Sequence, residues 1–339
     1  MDMQAAINAM LAHQDLSEAD MKSIMQSIMT GQATAAQIGG FLIGLRMKGE
    51  TIQEITAAAK VMRTLSTKVS VEGDHLVDTC GTGGDGLKTF NISTAGAIVA
   101  AAAGANVAKH GNRSISSKSG SADVLEAAGV NLDLTPSQVA QCIDKIGVGF
   151  MFAPLHHAAM KHAIGPRKEM AVRTIFNILG PLTNPAGAPN HVLGVFSPDL
   201  LEPMVRVLEN LGAKHVMVVH ANDGLDEITV NGETAVSELN DGRIRSYKIS
   251  PQQFGIDANT LEDIKVEDSQ QSLALINAVF DNSDGTAKDI VILNAGATCY
   301  VAGLTKDLHT GIQLADEVIA SGKAKQKFAD LISLTQSFS

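Results

Sequence analysis

Apolar residues follow two different rhythms along this chain. Up to about residue 65 they recur at helical spacing. Met21, Ile24, Met25 and Ile28 form an i, i+3, i+4, i+7 stripe behind Ser17-x-x-Asp20. Ile38, Phe41, Leu42 and Leu45 follow Thr34-x-x-Gln37, with Gly49 placed as the residue just beyond the helix. Ile55, Ala59, Met62 and Leu65 follow Thr51-x-x-Glu54. Three capping boxes in succession predict three helices. Their methionine-rich stripes read as helix–helix core or a subunit interface in preference to a cofactor groove. Thr67 to Gly73 has the composition of a linker.

From Leu76 the rhythm changes to short apolar runs alternating with helical segments, the signature of βαβ units. Strands are expected at Leu76–Thr79, Asn106–Lys109 and Gly149–Ala153, with a helix opened by Thr135-Pro136-Ser137-Gln138. Between residues 156 and 180 helical segments return, broken at Gly165-Pro166. This stretch is read as an excursion back to the helical lobe, making the crossings a hinge with a cleft between lobes. The sheet resumes with His191–Phe196, a helix from Ser197-Pro198 to Leu211, and a buried strand Lys214–His220. Residues 228–255 look like a short antiparallel elaboration. Helix Ser269–Phe280, strand Asp289–Leu293, the turn Asn294-Ala295-Gly296 and terminal helices complete the pattern. The expected fold class is α/β: a small helical domain over residues 1–70, rejoined near 156–180, and a larger domain over 71–339 with a central, mostly parallel sheet.

Length supports two lobes, since 339 residues exceed what one hydrophobic core usually serves. A hydrophobic share of 45% is ordinary for a globular chain, and no run approaches the roughly 18 apolar residues of a membrane span. Asp2 stands where a secretory signal would carry basic residues. Cys80, Cys142 and Cys299 are odd in number, far apart and without metal-ligand spacing, which reads as reduced thiols in the cytoplasm. A net charge of −10 argues against nucleic acid as a general partner.

Against that acidic background, Leu76–Ala122 carries four basic residues (Lys88, Lys109, Arg113, Lys118) and two acids (Asp78, Asp85), a net +2. It holds Gly81-Thr82-Gly83-Gly84-Asp85-Gly86 directly after the first expected strand. Glycines at that density let N–H groups converge on one point, as a phosphate ester requires. A small-residue helix follows at Ala95–Ala103, its N-terminus marked by Ser93 and Thr94, which serve equally as caps and as anion ligands. The loop is neither a Walker A sequence nor Gly-x-Gly-x-x-Gly. A second polar loop, residues 109–121, follows the next strand and places two such loops at one sheet edge.

These residues resemble the anthranilate phosphoribosyltransferase family. The likeness rests on Asp-Thr-Cys-Gly-Thr-Gly-Gly-Asp at 78–85, Asn-Ile-Ser-Thr at 91–94 and Lys-His-Gly-Asn-Arg-Ser-Ile-Ser-Ser-Lys-Ser-Gly-Ser-Ala-Asp at 109–123. It continues through Arg167, Asn177-Ile178-Leu179-Gly180-Pro181-Leu182-Thr183-Asn184-Pro185 and Asp223-Gly224-Leu225-Asp226-Glu227. The resemblance implies the nucleoside phosphorylase/phosphoribosyltransferase type of fold. It also implies a role in tryptophan biosynthesis: transfer of phosphoribosyl from 5-phosphoribosyl-1-pyrophosphate to anthranilate. By resemblance, Gly81, Thr82, Gly83, Gly84, Asp85, Thr89, Asn91, Ser93, Thr94, Lys109, Ser117 and Ser121 hold the donor. Gly81, His110, Asn112, His157, Arg167 and Gly180 attend anthranilate. Asp226 and Glu227, with Ser93, bind Mg²⁺. A homodimer through the helical domain is implied too, with no membrane or nucleic-acid partner.

The chemistry agrees with a site lacking a dedicated acid or base. Breaking an anomeric C–O bond passes through an oxocarbenium-like state, and the departing pyrophosphate is the charge to stabilise. The aromatic amine is already a nucleophile, so positioning supplies much of the rest. Met151, Phe152 and Pro154 offer an apolar wall for a ring. His156-His157 as a metal pair is disfavoured, because helix neighbours point apart. Arg167 read without the resemblance is a surface residue paired with Glu169. Two other classes stay in view: a pyrimidine nucleoside phosphorylase, and a noncatalytic nucleic-acid-binding protein of the same fold. The Asp-Glu pair and Arg167 favour the transferase.

Overall fold

The structure, a computed structural model, describes residues 1–114 and 119–338. Four helices come first: α1 (Met3–Leu11), α2 (Glu18–Met29), α3 (Ala35–Lys48) and α4 (Ile52–Leu65). Thr34 and Thr51 close reciprocal capping boxes with Gln37 and Glu54, and Gly49 follows α3 at φ 89°. Ser17 makes only half of its expected box. Its hydroxyl accepts from the Asp20 N–H, but Asp20 reaches the Ser17 hydroxyl at 2.6 Å and not its backbone. Helix α1, capped by Asp2, escapes a sequence reading because a nine-residue helix shows too little periodicity.

The rest of the chain runs β1 (Leu76–Gly81), α5 (Ile92–Ala103), β2 (Asn106–Gly111), α6 (Ser121–Ala127), α7 (Pro136–Ile146), β3 (Val148–Phe152) and α8 (Ala153–His156). Then come α9 (Lys161–Met170), α10 (Phe176–Leu179), β4 (Asn190–Gly194), α11 (Leu201–Asn210) and β5 (His215–Ala221). The chain closes with β6 (Thr234–Asn240), β7 (Arg243–Ile249), α12 (Ser269–Phe280), α13 (Thr286–Val301), α14 (Leu308–Ala320) and α15 (Lys323–Gln336). The seven strands form one sheet in the order β3-β2-β1-β4-β5-β6-β7. The first five are parallel, and β6 and β7 extend the sheet antiparallel, as the alternation in residues 228–255 leads one to expect. Strand order reverses between β1 and β4, which opens a crevice at their carboxyl ends.

Two further expectations fail. Asp289–Leu293 is helix, and Asn294-Ala295-Gly296 continues it; all of this lies within α13. Ile290, Val291, Ile292 and Leu293 are all buried, and a helix enclosed on every side loses the periodicity that separates it from a strand. The small residues that resembled a turn are packing devices: a Cβ on Gly296 would lie 2.6 Å from the Ile312 Cα of α14. The second failure is the break at Gly165-Pro166. Helix α9 runs through Pro166, which lacks the N–H that would meet the His162 carbonyl, so the turn forfeits one bond without ending.

Helix α9 packs on α2 and α3. One apolar core runs from Met21, Phe41 and Ile55 of the helical layer through Met204 and Leu208 of α11 to Leu193 and Val218 of the sheet. A second core fills the opposite face, between the sheet and α5, α13 and α14. The three cysteines are unpaired thiols. Among the described residues, no helix is long and apolar enough to cross a membrane.

Candidate active site

Gly81 ends β1 and stands in register with Gly194 at the end of β4. Neither has room for a side chain. A Cβ on Gly194 would overlap the Asp226 carbonyl, and one on Gly81 would lie 2.2 Å from Asp226 Oδ2. The loop after β5 is thus folded tightly over the crevice, which puts Asp226 and Glu227 there, both buried. Asn294 fixes that loop from α13: its Oδ1 accepts from the Ile228 N–H at 2.9 Å and its Nδ2 donates to the Ile228 carbonyl at 2.8 Å.

The glycine loop is pinned in turn. Thr82 N–H donates to the Gly194 carbonyl at 2.9 Å, and Phe196 N–H donates to Thr82 Oγ1 at 3.1 Å. Gly83 N–H donates to Asp226 Oδ2 at 2.7 Å. Gly83 and Gly84 take φ values of 68° and 81°, where a Cβ is unfavourable. Asp85 folds over the same point, close enough for its charge to press on Asp226.

Lys109 is the buried cation of the site. Its ammonium reaches the Thr79 carbonyl at 2.7 Å and Ser93 Oγ at 3.4 Å. Burial, and then the Asp85 charge, hold Asp226 well above the usual carboxylate range; burial, and then Asp226, raise Glu227. Lys109 and the Ser93 hydroxyl pull Glu227 the other way. Carboxylates crowded like this fit a divalent cation, which relieves their repulsion. Among the described residues, no three His, Cys, Asp or Glu side chains gather as metal ligands. Two carboxylates and a hydroxyl would leave about half of the six oxygen positions that Mg²⁺ takes to phosphate oxygens and water.

The helix behind the loop begins one residue before Ser93, with Asn91 as N-cap. The Asn91 side chain binds no N–H of its own helix. Instead its Oδ1 accepts from Ser119 Oγ and Ser272 Oγ, each at 2.7 Å, so Asn91 braces the second polar loop. Thr94 Oγ1 is buried with no partner, an orphan that a ligand oxygen could satisfy. Thr89 sits on an isolated bridge to Lys265, at the outer end of the glycine loop. Ser121 begins α6, and its hydroxyl donates to the Asn112 carbonyl at 3.3 Å. Ser117 lies outside the described residues.

A second cluster adjoins the first. The rings of His110 and His157 lie 5.0 Å apart, with the Gly180 carbonyl against His110 and the Thr183 carbonyl against His157. Burial, and then the His157 charge, push His110 well below the usual imidazole range; burial, and then the His156 charge, push His157 down to about 4. Their Nε2 atoms are buried without partners. His156 turns elsewhere, to the Thr67 carbonyl at 3.0 Å, so the two neighbouring histidines do not converge. Arg167 is half-buried, its guanidinium 5.2 Å from the centre of the Phe176 ring, and no ion pair with Glu169 forms. Asn112 is exposed, with its side-chain carbonyl on the Arg113 N–H.

Sequence reasoning overlooked three residues here. Asp78 is fully buried and accepts from the His110 N–H at 3.2 Å and from Asn184 Nδ2 at 2.7 Å. Asn184 also donates to the Ala108 carbonyl at 2.8 Å. This pair locks the 180–185 turn onto the sheet; the signal was an acid in a strand that is otherwise apolar. The third is Arg173, which donates to the Gly84 carbonyl and lies 4.3 Å over the Phe196 ring.

Comparison with known proteins agrees over the whole length. The glycosyl transferase family, a/b domain, matches residues 73–325, and its helical bundle domain matches residues 4–66. A relative from Thioalkalivibrio sulfidiphilus (strain HL-EbGR7), an anthranilate phosphoribosyltransferase, is 62% identical over 337 residues, covering 99% of this chain and 100% of its own. The crystal structure of the Thermus thermophilus enzyme of that name superposes with a TM-score of 0.93 at 42% identity, covering 98% of this chain and 99% of its own. The Saccharomyces cerevisiae enzyme in complex with PRPP and Mg superposes with a TM-score of 0.90 at 25% identity, covering 99% and 98%.

Proposed function

The chain belongs to the anthranilate phosphoribosyltransferase family, and from that premise we propose how its residues divide the reaction. The reaction itself transfers the phosphoribosyl group of 5-phosphoribosyl-1-pyrophosphate to the amine of anthranilate. The bond from the anomeric carbon to the pyrophosphate oxygen breaks, a bond to the amine nitrogen forms, and the amine loses one proton. The relatives favour neither the phosphorylase nor the nucleic-acid-binding alternative.

The observation that carries the assignment is the acid–base knot of Asp226, Glu227, Lys109 and Ser93 at the β1–β4 crevice, beside a glycine loop with N–H groups to offer. In our reading, Gly81 to Asp85, Thr89, Asn91, Ser93, Thr94, Lys109, Ser117 and Ser121 hold the donor. Lys109 and the N-terminus of α5 stabilise the charge that develops on the pyrophosphate. Asp226, Glu227 and Ser93 hold Mg²⁺, which supplies further electrostatic stabilisation of the leaving group when bound. His110, His157 and Gly180 face the acceptor with neutral, hydrogen-bonding atoms, joined by Asn112, and Arg167 receives its carboxylate. No side chain needs to act as a general base.

We also read residues 1–70, with the segment near 156–180, as the helical domain and 71–339 as the donor-binding domain. Tryptophan biosynthesis in the cytoplasm is the setting this activity fits, and a homodimer through the helical domain is the assembly we propose.

The test is Asp226→Asn with Glu227→Gln. The pair should lose turnover by at least about a hundredfold and lose its response to added Mg²⁺. A double variant with normal magnesium activation would take both residues out of the metal site.

A further inference from the structure

Arg173 enters the donor site from the wrong side of the molecule for a sheet residue. It follows α9 and Ala171, whose φ of 50° turns the chain sharply after the helix. From there its guanidinium crosses to the glycine loop, donates to the Gly84 carbonyl and rests 4.3 Å over the Phe196 ring. The side chain is exposed, yet it forms no ion pair with a carboxylate among the described residues.

The three bonds that hold residues 82–83 all come from the sheet side: the Gly194 carbonyl, the Phe196 N–H and Asp226. Gly84 has none of these. Beyond Gly84 the loop is next held at Lys88 and Phe90, which bond Val266 and Ile264; between these ends, peptides at consecutive glycines rotate freely, sample many N–H orientations and must be ordered when a ligand binds. A guanidinium is suited to the missing tether, because its flat face stacks on an aromatic ring while its edge donates. We propose that Arg173 is a positioning residue for the donor: it fixes the Gly84 peptide so that the glycine loop is preorganised for the pyrophosphate. The segment that delivers Arg167 to the acceptor side thereby braces the donor loop as well. This rests on the reading that the glycine loop holds 5-phosphoribosyl-1-pyrophosphate.

The experiment uses the full chain with Mg²⁺ and three substitutions: Arg173→Ala, Arg173→Met and Arg173→Lys. Steady-state kinetics and calorimetric titration with 5-phosphoribosyl-1-pyrophosphate give the readouts. Arg173→Ala should raise the KM and Kd for that substrate about tenfold, with kcat at saturation within about twofold of the parent. The anthranilate KM and the melting temperature should stay put. Arg173→Met keeps the stem on Phe196 but cannot donate, so it should behave like Arg173→Ala. Arg173→Lys should recover part of the loss, since it donates but does not stack.

A methionine variant with the parent's affinity would overturn the proposal, because packing alone would then suffice. So would a fall in kcat with KM unchanged, or a joint rise in both KM values with a lower melting temperature. Gly83→Val separates this failure from that of the underlying site. If Gly83→Val abolishes donor binding while Arg173→Ala does nothing, the brace is wrong and the loop site stands. If both bind normally, the loop site falls and the brace with it.

Discussion

Arg167 has an aromatic face beneath it and, among the described residues, no carboxylate paired with it, so burial costs its charge more than any neighbour returns. An arginine kept in that state is prepared for an anionic ligand, and a planar guanidinium matches the ortho carboxylate of anthranilate with two parallel bonds. Charge-assisted bonds of this kind contribute roughly 1.5–3 kcal/mol each. Arg167→Ala should therefore lower kcat/KM for anthranilate by about one to two orders of magnitude while the donor's KM barely moves. Lysine should restore only part of the loss. An unchanged anthranilate KM in Arg167→Ala would remove the residue from the site. This position also marks how far a sequence can be read. Arg167 next to Glu169 looks like an ordinary surface pair, and only the resemblance nominates it as a ligand. Arg173 carries no local signal at all, because its partners Gly84 and Phe196 are distant in the chain and its bond is to a backbone carbonyl. The glycine loop and Lys109 stand out in the sequence as a basic, N–H-rich anion cradle within an acidic chain, whereas Asp226 and Glu227 read alone are an ordinary solvated pair that, like Arg167, only the resemblance nominates.

At the scale of elements, the antiparallel end of the sheet is fastened by one carboxylate. Glu238 of β6 accepts from Tyr247 of β7 at 2.8 Å and from Tyr300 of α13 at 2.9 Å, and it meets His215 of β5 at 2.9 Å. Burial works against the charge, but these hydrogen bonds prevail and hold the Glu238 carboxyl below its ordinary range. Burial and the same charge push both phenols up, Tyr300 to about 12. Tyr247 and Tyr300 are the only tyrosines, and tryptophan is absent, so tyrosinate absorbance reports on this junction alone. The native protein should show almost no tyrosinate at about pH 10, where an unfolded chain is half ionised. A phenol whose folded pKa is raised contributes stability that is complete below its unfolded value, and that stability drains away as pH climbs from about 10 toward about 12. Glu238→Gln should bring the titration back toward about 10 and flatten the alkaline loss of melting temperature. Tyrosinate appearing near pH 10 in the native parent would refute the network. The elements joined here also mark the boundary of what sequence shows. Strand β5 is readable from its short apolar run, and β6 and β7 from the Gly232 and Asp241-Gly242 turns and the alternation over Arg243–Ile249, whereas α13, enclosed between α5, α14 and the sheet, presents four consecutive buried aliphatics and no polar face. Tertiary enclosure, which a local pattern cannot register, decided its state.

Across the whole molecule, one surface is left incomplete. Ala36, Gly40, Ile43 and Met47 form an exposed stripe along α3, and Leu11 of α1 lies exposed on the same helical layer. Met47 and Leu11 are 76% and 73% exposed, far more than large apolar side chains bear without a reason. Small residues at two of those positions would let another helix approach closely. The helical layer turns its other side into the core it shares with α11 and the sheet, so this stripe has no use inside the monomer. A second copy of the chain is the occupant we propose, packed helix against helix about a twofold axis. Ile43→Asp with Met47→Glu should leave the monomer fold intact, since both side chains lie outside the cores, while placing charges in the interface. Sedimentation should then give a dimer for the parent and a monomer for the variant. The parent's melting temperature should rise with protein concentration, because dissociation accompanies unfolding, and the variant's should not. A parent that sediments as a monomer at the concentrations used for assay, or a variant that remains dimeric, would move the interface elsewhere or abolish it. Neither outcome would bear on the donor site we propose at the carboxyl ends of β1 and β4, whose bonds from Gly83 to Asp226 and from Lys109 to Thr79 and Ser93 form within a single chain.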